Sequence, residues 1–187
     1  LAQQEPALVA RIIQRSNELQ QSVTEMLERG QRRHLERNAL LSSLYQSQSY
    51  LRHLQDINRR YDSNVPDAQQ LMEMDRLIAA AIDTPSPRAT VQQLDAVAAA
   101  LPRSAVQPVV KEVLPDFNAE LGKLAPLSKQ LEESDLAISW YMFHIKALVA
   151  ILNSDINQYV GQVAQASRLR TAQSHHELQS ISVFISI

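Results

Sequence analysis

The sequence predicts an all-α protein, an elongated antiparallel helical bundle built on two long helices with short proline-broken helices between them. Three observations carry that prediction. Glycine occurs three times in 187 residues and aromatics make up only 5%, whereas alanine, leucine, glutamine and arginine, which favour helix, are abundant. Two stretches sustain a heptad pattern over many turns. Most prolines cluster between those stretches, where they punctuate short helices.

The first helix runs from about Pro6 to Tyr61 without another proline. Alternating steps of four and three from Ile12 reach Ser16, Leu19, Val23, Met26, Gly30, Arg33, Arg37, Leu40, Leu44, Ser47, Leu51, Leu54, Asn58 and Tyr61. The seam is apolar, then cationic, then apolar again. Asp62-Ser63-Asn64-Val65-Pro66-Asp67 combines turn formers with a candidate cap and ends the helix. A second helix over 67–82 places Leu71, Met74, Leu77, Ile78 and Ala81 on one face, and Thr84-Pro85-Ser86-Pro87 stops it. A third, 90–101, carries Val91, Leu94, Val97, Ala98 and Leu101. After the connection from Pro102 to Pro108, a short fourth helix over 108–114 is expected to be cut by Pro115.

The second long helix is expected from Asp116 to about residue 172 or beyond, with Pro126 a kink or boundary near its start, and with the seam Leu121, Leu124, Ser128, Leu131, Asp135, Ile138, Met142, Ile145, Val149, Leu152, Ile156, Tyr159, Val163 and Ala166. At 1.5 Å per residue the first arm would be roughly 80 Å long. With antiparallel arms, both termini lie at one end and the short helices at the other. No repeat, low-complexity tract or linker divides the chain, so it reads as one helical unit over 1–187.

The net charge of -2 comes from 18 basic and 20 acidic residues, which leaves no broad cationic face for nucleic acid. Fourteen of the basic residues are arginine, and the first 62 residues hold nine arginines and no lysine. Arginine suits bidentate recognition of carboxylate or phosphate, although coding bias enriches it equally well. The absence of cysteine excludes disulfides and thiol chemistry. No uninterrupted run of eighteen apolar residues is present and no signal peptide is visible, so the chain reads as a soluble piece of something longer. Its most apolar tail is Ile181 to Ile187, which could meet a membrane, the core or neither.

The sharpest local signal is Gly-Gln-Arg-Arg-His-Leu-Glu-Arg at 30–37. Arg33 and Arg37 lie on the seam, His34 is adjacent, and Gly30 one turn earlier would let a ligand or a helix approach the backbone. A buried guanidinium needs a partner because unpaired desolvation costs several kcal/mol. Three readings fit: an anion site, an ion pair with a carboxylate of another helix, or a seam that stutters to bring Leu27, Leu35 and Leu41 inward and leaves the arginines solvated. If Pro6 lies near residue 175, Arg33 and Arg37 face Phe143 to Ala147. That neighbourhood, Trp140-Tyr141-Met142-Phe143-His144-Ile145-Lys146, is either core or an aromatic wall with Trp140, His144 and Lys146 as ligand contacts. Arg52, His53, Arg59 and Arg60 form a second basic group spread over several helix faces, which reads as solvated surface or as a contact for an acidic protein partner or a small anion.

The five histidines lack metal-ligand spacing, since His175-His176-Glu177 has no second histidine one turn on. No metal and no cofactor are expected. There is no nucleophile elbow, phosphate loop or dinucleotide fingerprint, and nothing nominates an enzyme.

The long first helix, Ser-Asn-Glu-Leu-Gln-Gln at 16–21, Arg-His-Leu-Gln-Asp-Ile-Asn-Arg-Arg-Tyr at 52–61, the proline-broken short helices and the long return helix together resemble the extracytoplasmic helical sensor regions of bacterial receptors. The likeness is to the helical bimodular domains of chemoreceptors and to the periplasmic domain of the trimethylamine N-oxide sensor kinase. It covers most of the chain and rests on architecture. It implies two helical modules on shared long helices, in the periplasmic domain of an inner-membrane protein, most naturally a sensor histidine kinase of a two-component system. The implied partner is a small organic or phosphorylated anion, such as a phosphorylated three-carbon acid, or a periplasmic binding protein. Long receptor helices of this kind pair, so a homodimer is also implied. Family members are commonly longer, which places further membrane-near helices and the membrane anchor in flanking segments. A structural scaffold whose seams pair with other chains, without any small-molecule ligand, is the alternative reading of the same pattern.

Overall fold

In the computed structural model, which describes residues 4–64, 66–101 and 107–185, α1 (Gln4–Arg60) continues through the cationic stretch without interruption. It is followed by α2 (Ala68–Asp83), α3 (Arg88–Ala99), α4 (Pro108–Gly122) and α5 (Leu124–Ile185). The protein is all-α, and the two long helices pack against each other. Val65, most of the Pro102 to Pro108 connection and the last two residues of the apolar tail lie outside the described residues.

The chain divides into two compact units, residues 1–26 with 140–187 and residues 27–139. The second unit contains the main core. There the α1 seam holds from Leu40 through Leu44, Ser47, Leu51 and Leu54 to Asn58, all buried, and fails at Tyr61, which is exposed. Leu40, Leu44, Leu51 and Leu54, with Ile57 beside the seam, are buried against Leu71, Met74, Leu77 and Ile78 of α2, Val91 and Leu94 of α3, Val110, Leu114, Phe117 and Leu121 of α4, and Leu124 and Leu131 of α5. Each fully buried side chain of this size contributes roughly 1.5–3 kcal/mol relative to exposure. The unit is therefore held mainly by apolar burial.

The α1–α2 turn is built by local hydrogen bonds. Asp62 takes the left-handed conformation with φ 46°, and the Ser63 amide reaches back to the Asn58 carbonyl at 2.9 Å, a helix ending that satisfies a late carbonyl. The Asn58 side chain donates to the Pro66 carbonyl at 2.7 Å, and Asp67 caps α2 by accepting from the Gln69 amide.

Pro115 does not end α4, contrary to the expectation of a break between 114 and 116. The buried stripe Val110, Leu114, Phe117 and Leu121 passes straight through it, while the proline and Lys111, whose carbonyl loses its helical partner, are both exposed to water. Burial of the stripe outweighs one lost hydrogen bond. Only Lys123 then separates α4 from α5, so the return arm effectively starts at Pro108. It extends to Ile185, beyond 172.

The first unit is a pair of antiparallel segments, the start of α1 and most of α5. Among the described residues, those buried in it are Leu8, Ser22, Leu148 and Asp155. Here the second seam departs from the count. Leu148 and Asp155 point inward, while Met142, Val149, Ile156 and Val163, seven residues apart, are exposed. The expected and observed stripes share Ile145 and Leu152 but diverge by one residue at alternate positions. α5 therefore has apolar side chains for more than one face, and two helices can cover only one of them.

A candidate site around the Arg33–Asp135 pair

In the second unit, the cationic step in the α1 seam meets a carboxylate. Arg33 Nε donates to Asp135 Oδ1 of α5, and the two side chains are 30% and 38% exposed. One turn along α1, Glu36 accepts a hydrogen bond from Ser134 Oγ at 2.6 Å. Arg37 forms no ion pair among the described residues, and His34 is exposed, with Nε2 3.3 Å from Asn38 Nδ2. Leu27 and Leu35 are exposed, and of the three leucines of the stutter reading Leu41 alone is partly buried against the core. Of the three readings of this stretch, Arg33 follows the ion-pair one. Gly30 leaves open space: a Cβ there would meet nothing within 4 Å.

The expected register is corrected by the same contact. Arg33 meets Asp135, about two turns before the Phe143 to Ala147 stretch, and Tyr141 instead donates to Glu25 Oε2 at 2.9 Å within the first unit. An arm that starts at Pro108 rather than 116 brings earlier α5 residues level with a given α1 residue. Of the six residues named from the sequence, Arg33, His34 and Arg37 belong to the second unit and Trp140, His144 and Lys146 to the first. Trp140 is 57% and Phe143 76% exposed, so the aromatic run is not core. Trp140 stacks on His144 with ring centroids 4.8 Å apart and meets Tyr141 edge-on at 5.1 Å. Lys146 is exposed. Arg52, His53, Arg59 and Arg60 are exposed as well, with Asp56 pairing to Arg59 and Arg60.

Asp135 also lines a cavity of about 200 Å³ between α5 and the α2–α3 turn. Its other charged walls are Arg88, the first residue of α3, and Glu132, one turn before Asp135. Arg88 Nε lies 3.4 Å from Glu132 Oε2, and Arg88 donates no hydrogen bond among the described residues. Leu131 and Leu136 give the cavity an apolar side, and the buried Ser128 lines it too. A smaller cavity of about 170 Å³ lies against Arg88 and Ser128. A guanidinium with spare donors, two carboxylates and an apolar patch could hold a small polar molecule.

The sequence held a signal for Asp135. It is the lone carboxylate on the second seam, as Arg33 and Arg37 are the lone cations on the first, and matching the two charged breaks would have set the register. Arg88 follows a proline-rich turn and carried no such signal.

Among the described residues no group of three or more histidine, aspartate or glutamate side chains could hold a metal ion. Pro108–Ile185 is long and apolar enough, by length and composition, to cross a membrane, with an eighteen-residue window of mean hydropathy 1.4 of which 6% is buried. The count of uninterrupted apolar residues missed this window because polar residues, Lys146 and His144 among them, break up the apolar stretch around it.

Fold and cavity define a helical-bundle protein with a small, mostly apolar cavity edged by charged side chains beside an interhelical ion pair. Comparison with known protein families, curated proteins and solved structures finds no match to this chain.

Proposed function

We propose that this chain is the periplasmic ligand-sensing domain of a bacterial transmembrane receptor, in the manner of a sensor histidine kinase, and that it is not itself an enzyme. The observation that carries the reading is that Asp135 belongs at once to the cavity wall and to the ion pair joining α5 to α1. A small organic or phosphorylated anion entering the cavity would find Arg88 with unused donors and would meet the charges of Glu132 and Asp135, disturbing the pairing of Asp135 with Arg33. Binding would then favour one pairing of α1 with α5 over another. A ligand shifts such an equilibrium only by its difference in affinity for the two arrangements, and the shared carboxylate supplies that difference.

Because α1 and α5 run uninterrupted from one unit into the other, a change in their pairing has a continuous path along the chain. The exposed heptad line Met142, Val149, Ile156 and Val163 provides a face for a second copy, and a periplasmic binding protein is the other partner of the proposal. That same line favours the second reading, a scaffold that pairs with other helices and ignores small molecules.

The test is thermal unfolding against small carboxylates, phosphorylated acids and sulfate, repeated on Arg88→Ala, Arg33→Ala, Arg37→Ala and Asp135→Asn. A ligand at a hundredfold excess over its dissociation constant stabilises by roughly 2.7 kcal/mol. A shift that Arg88→Ala abolishes and Asp135→Asn alters supports the sensor. No shift with any compound, in a protein that associates through Val149 and Ile156, would establish the scaffold instead.

A further inference from the structure

The cavity beside Arg88 carries charges of both signs, and this narrows what it can hold. Arg88 has five N–H donors and, among the described residues, makes one long ionic contact, to Glu132. Glu132 accepts no hydrogen bond among the described residues, and Asp135 commits one oxygen, Oδ1, to Arg33. Unused donors of a cation and unused acceptors of two carboxylates thus open on one cavity of about 200 Å³. A simple anion would gain Arg88 but would face Glu132 and Asp135, and like charges held close together destabilise one another. A simple cation would gain the carboxylates and be repelled by Arg88. A molecule carrying both charges meets neither penalty.

We propose, resting on the sensing role above, that the ligand is a small amphoteric molecule of the α-amino acid class. Its carboxylate takes the guanidinium of Arg88, its ammonium takes Glu132 and the second oxygen of Asp135, and a short side chain lies on Leu131. The ligand replaces the long Arg88–Glu132 contact with two charge-assisted contacts, which are the stronger kind of hydrogen bond. The cavity is smaller than the ~300–1,000 Å³ of pockets for drug-sized ligands. That favours glycine, alanine or serine over large amino acids. Because Asp135 also holds Arg33, occupancy bears on the α1–α5 pair.

Isothermal titration calorimetry with glycine, L-alanine and L-serine tests this, with acetate and methylammonium as the two singly charged halves. The protein should bind at least one of the amino acids at millimolar concentration and neither half. Arg88→Gln and Glu132→Gln, both at partly exposed positions, should each weaken amino-acid binding at least tenfold while leaving the unfolding midpoint nearly unchanged. Glu132→Gln should in addition begin to bind acetate, because one of the two opposing charges is gone and the other, Asp135, is paired to Arg33. Amino-acid binding unchanged in either variant overturns the two-ended contact. Acetate bound by the parent as well as any amino acid overturns the amphoteric class and leaves the anion sensor standing. Response to neither amino acids nor anions overturns both readings.

Discussion

Arg15 Nη1 lies 2.5 Å from Asp155 Oδ2, the shortest of the contacts that tie the two segments of the first unit. Asp155 is only 6% exposed, and Arg11 reaches its other oxygen at 3.5 Å. A buried carboxylate that loses its partner is costly, by 3–5 kcal/mol where both groups are fully buried. Arg15 is partly in water, which reduces that figure. Arg15→Ala should destabilise by about 2 kcal/mol and Arg11→Ala by less than about 1 kcal/mol. Urea unfolding measures both, and equal effects would show that the short contact is not the dominant one.

Gly30 can be replaced. A Cβ meets nothing within 4 Å, the residue is in mid-helix, and glycine there costs roughly 0.5–1 kcal/mol relative to alanine. Gly30→Ala should raise stability by about that amount and leave ligand response intact. Loss of response in a well-folded Gly30→Ala protein would return the ligand to the backbone at this position.

Pro115 lies inside α4 with its ring exposed. Proline in a helix interior is about 3 kcal/mol worse than alanine, partly offset because it restricts the unfolded chain by about 0.4–1 kcal/mol. Pro115→Ala should therefore stabilise the protein by roughly 2–2.5 kcal/mol, read as a higher urea midpoint. A lower midpoint would mean that the proline bends α4 to seat Phe117.

Glu120 gives the second unit a pH dependence. Burial acts to raise its pKa, but hydrogen bonds from Lys123 and Ser43, with the Lys123 charge, hold it below the ordinary 4.5. Ser43 Oγ donates to Glu120 Oε1 at 2.8 Å across α1 and α4. A depressed folded pKa means that the unfolded chain takes the proton more readily. The stabilisation is present above pH 4.5 and is lost as pH falls through the lower folded value. The stability gap between the parent and Glu120→Gln should therefore narrow below pH 4.5. A gap that stays constant down to pH 3, well below the ordinary carboxylate range, would remove Glu120 as the source.

The helices were legible in the sequence because each reports itself locally. Leu40, Leu44, Leu51 and Leu54 repeat on one face whatever they pack against, and Pro66, Pro85 and Pro87 mark the ends of helices by their own chemistry. Pro115 was misread because a proline's local effect gives way when burial on both sides, here Leu114 and Phe117, favours continuing the helix.

Register was decided only in three dimensions. Two long heptad patterns can slide past each other by whole heptads and still set apolar against apolar. Contacts such as Arg33 with Asp135 and Arg15 with Asp155 distinguish one alignment from the next. The cavity belongs to the same category. Arg88 and Glu132 are 44 residues apart in the chain, and nothing in their local patterns relates them. They meet because the core of the second unit seats the start of α3 beside α5. The sequence by itself thus determined that the chain is helical and where its cationic break lies. The tertiary structure decided which charge answers that break and where a cavity forms beside it, because those depend on packing between helices rather than on periodicity within one.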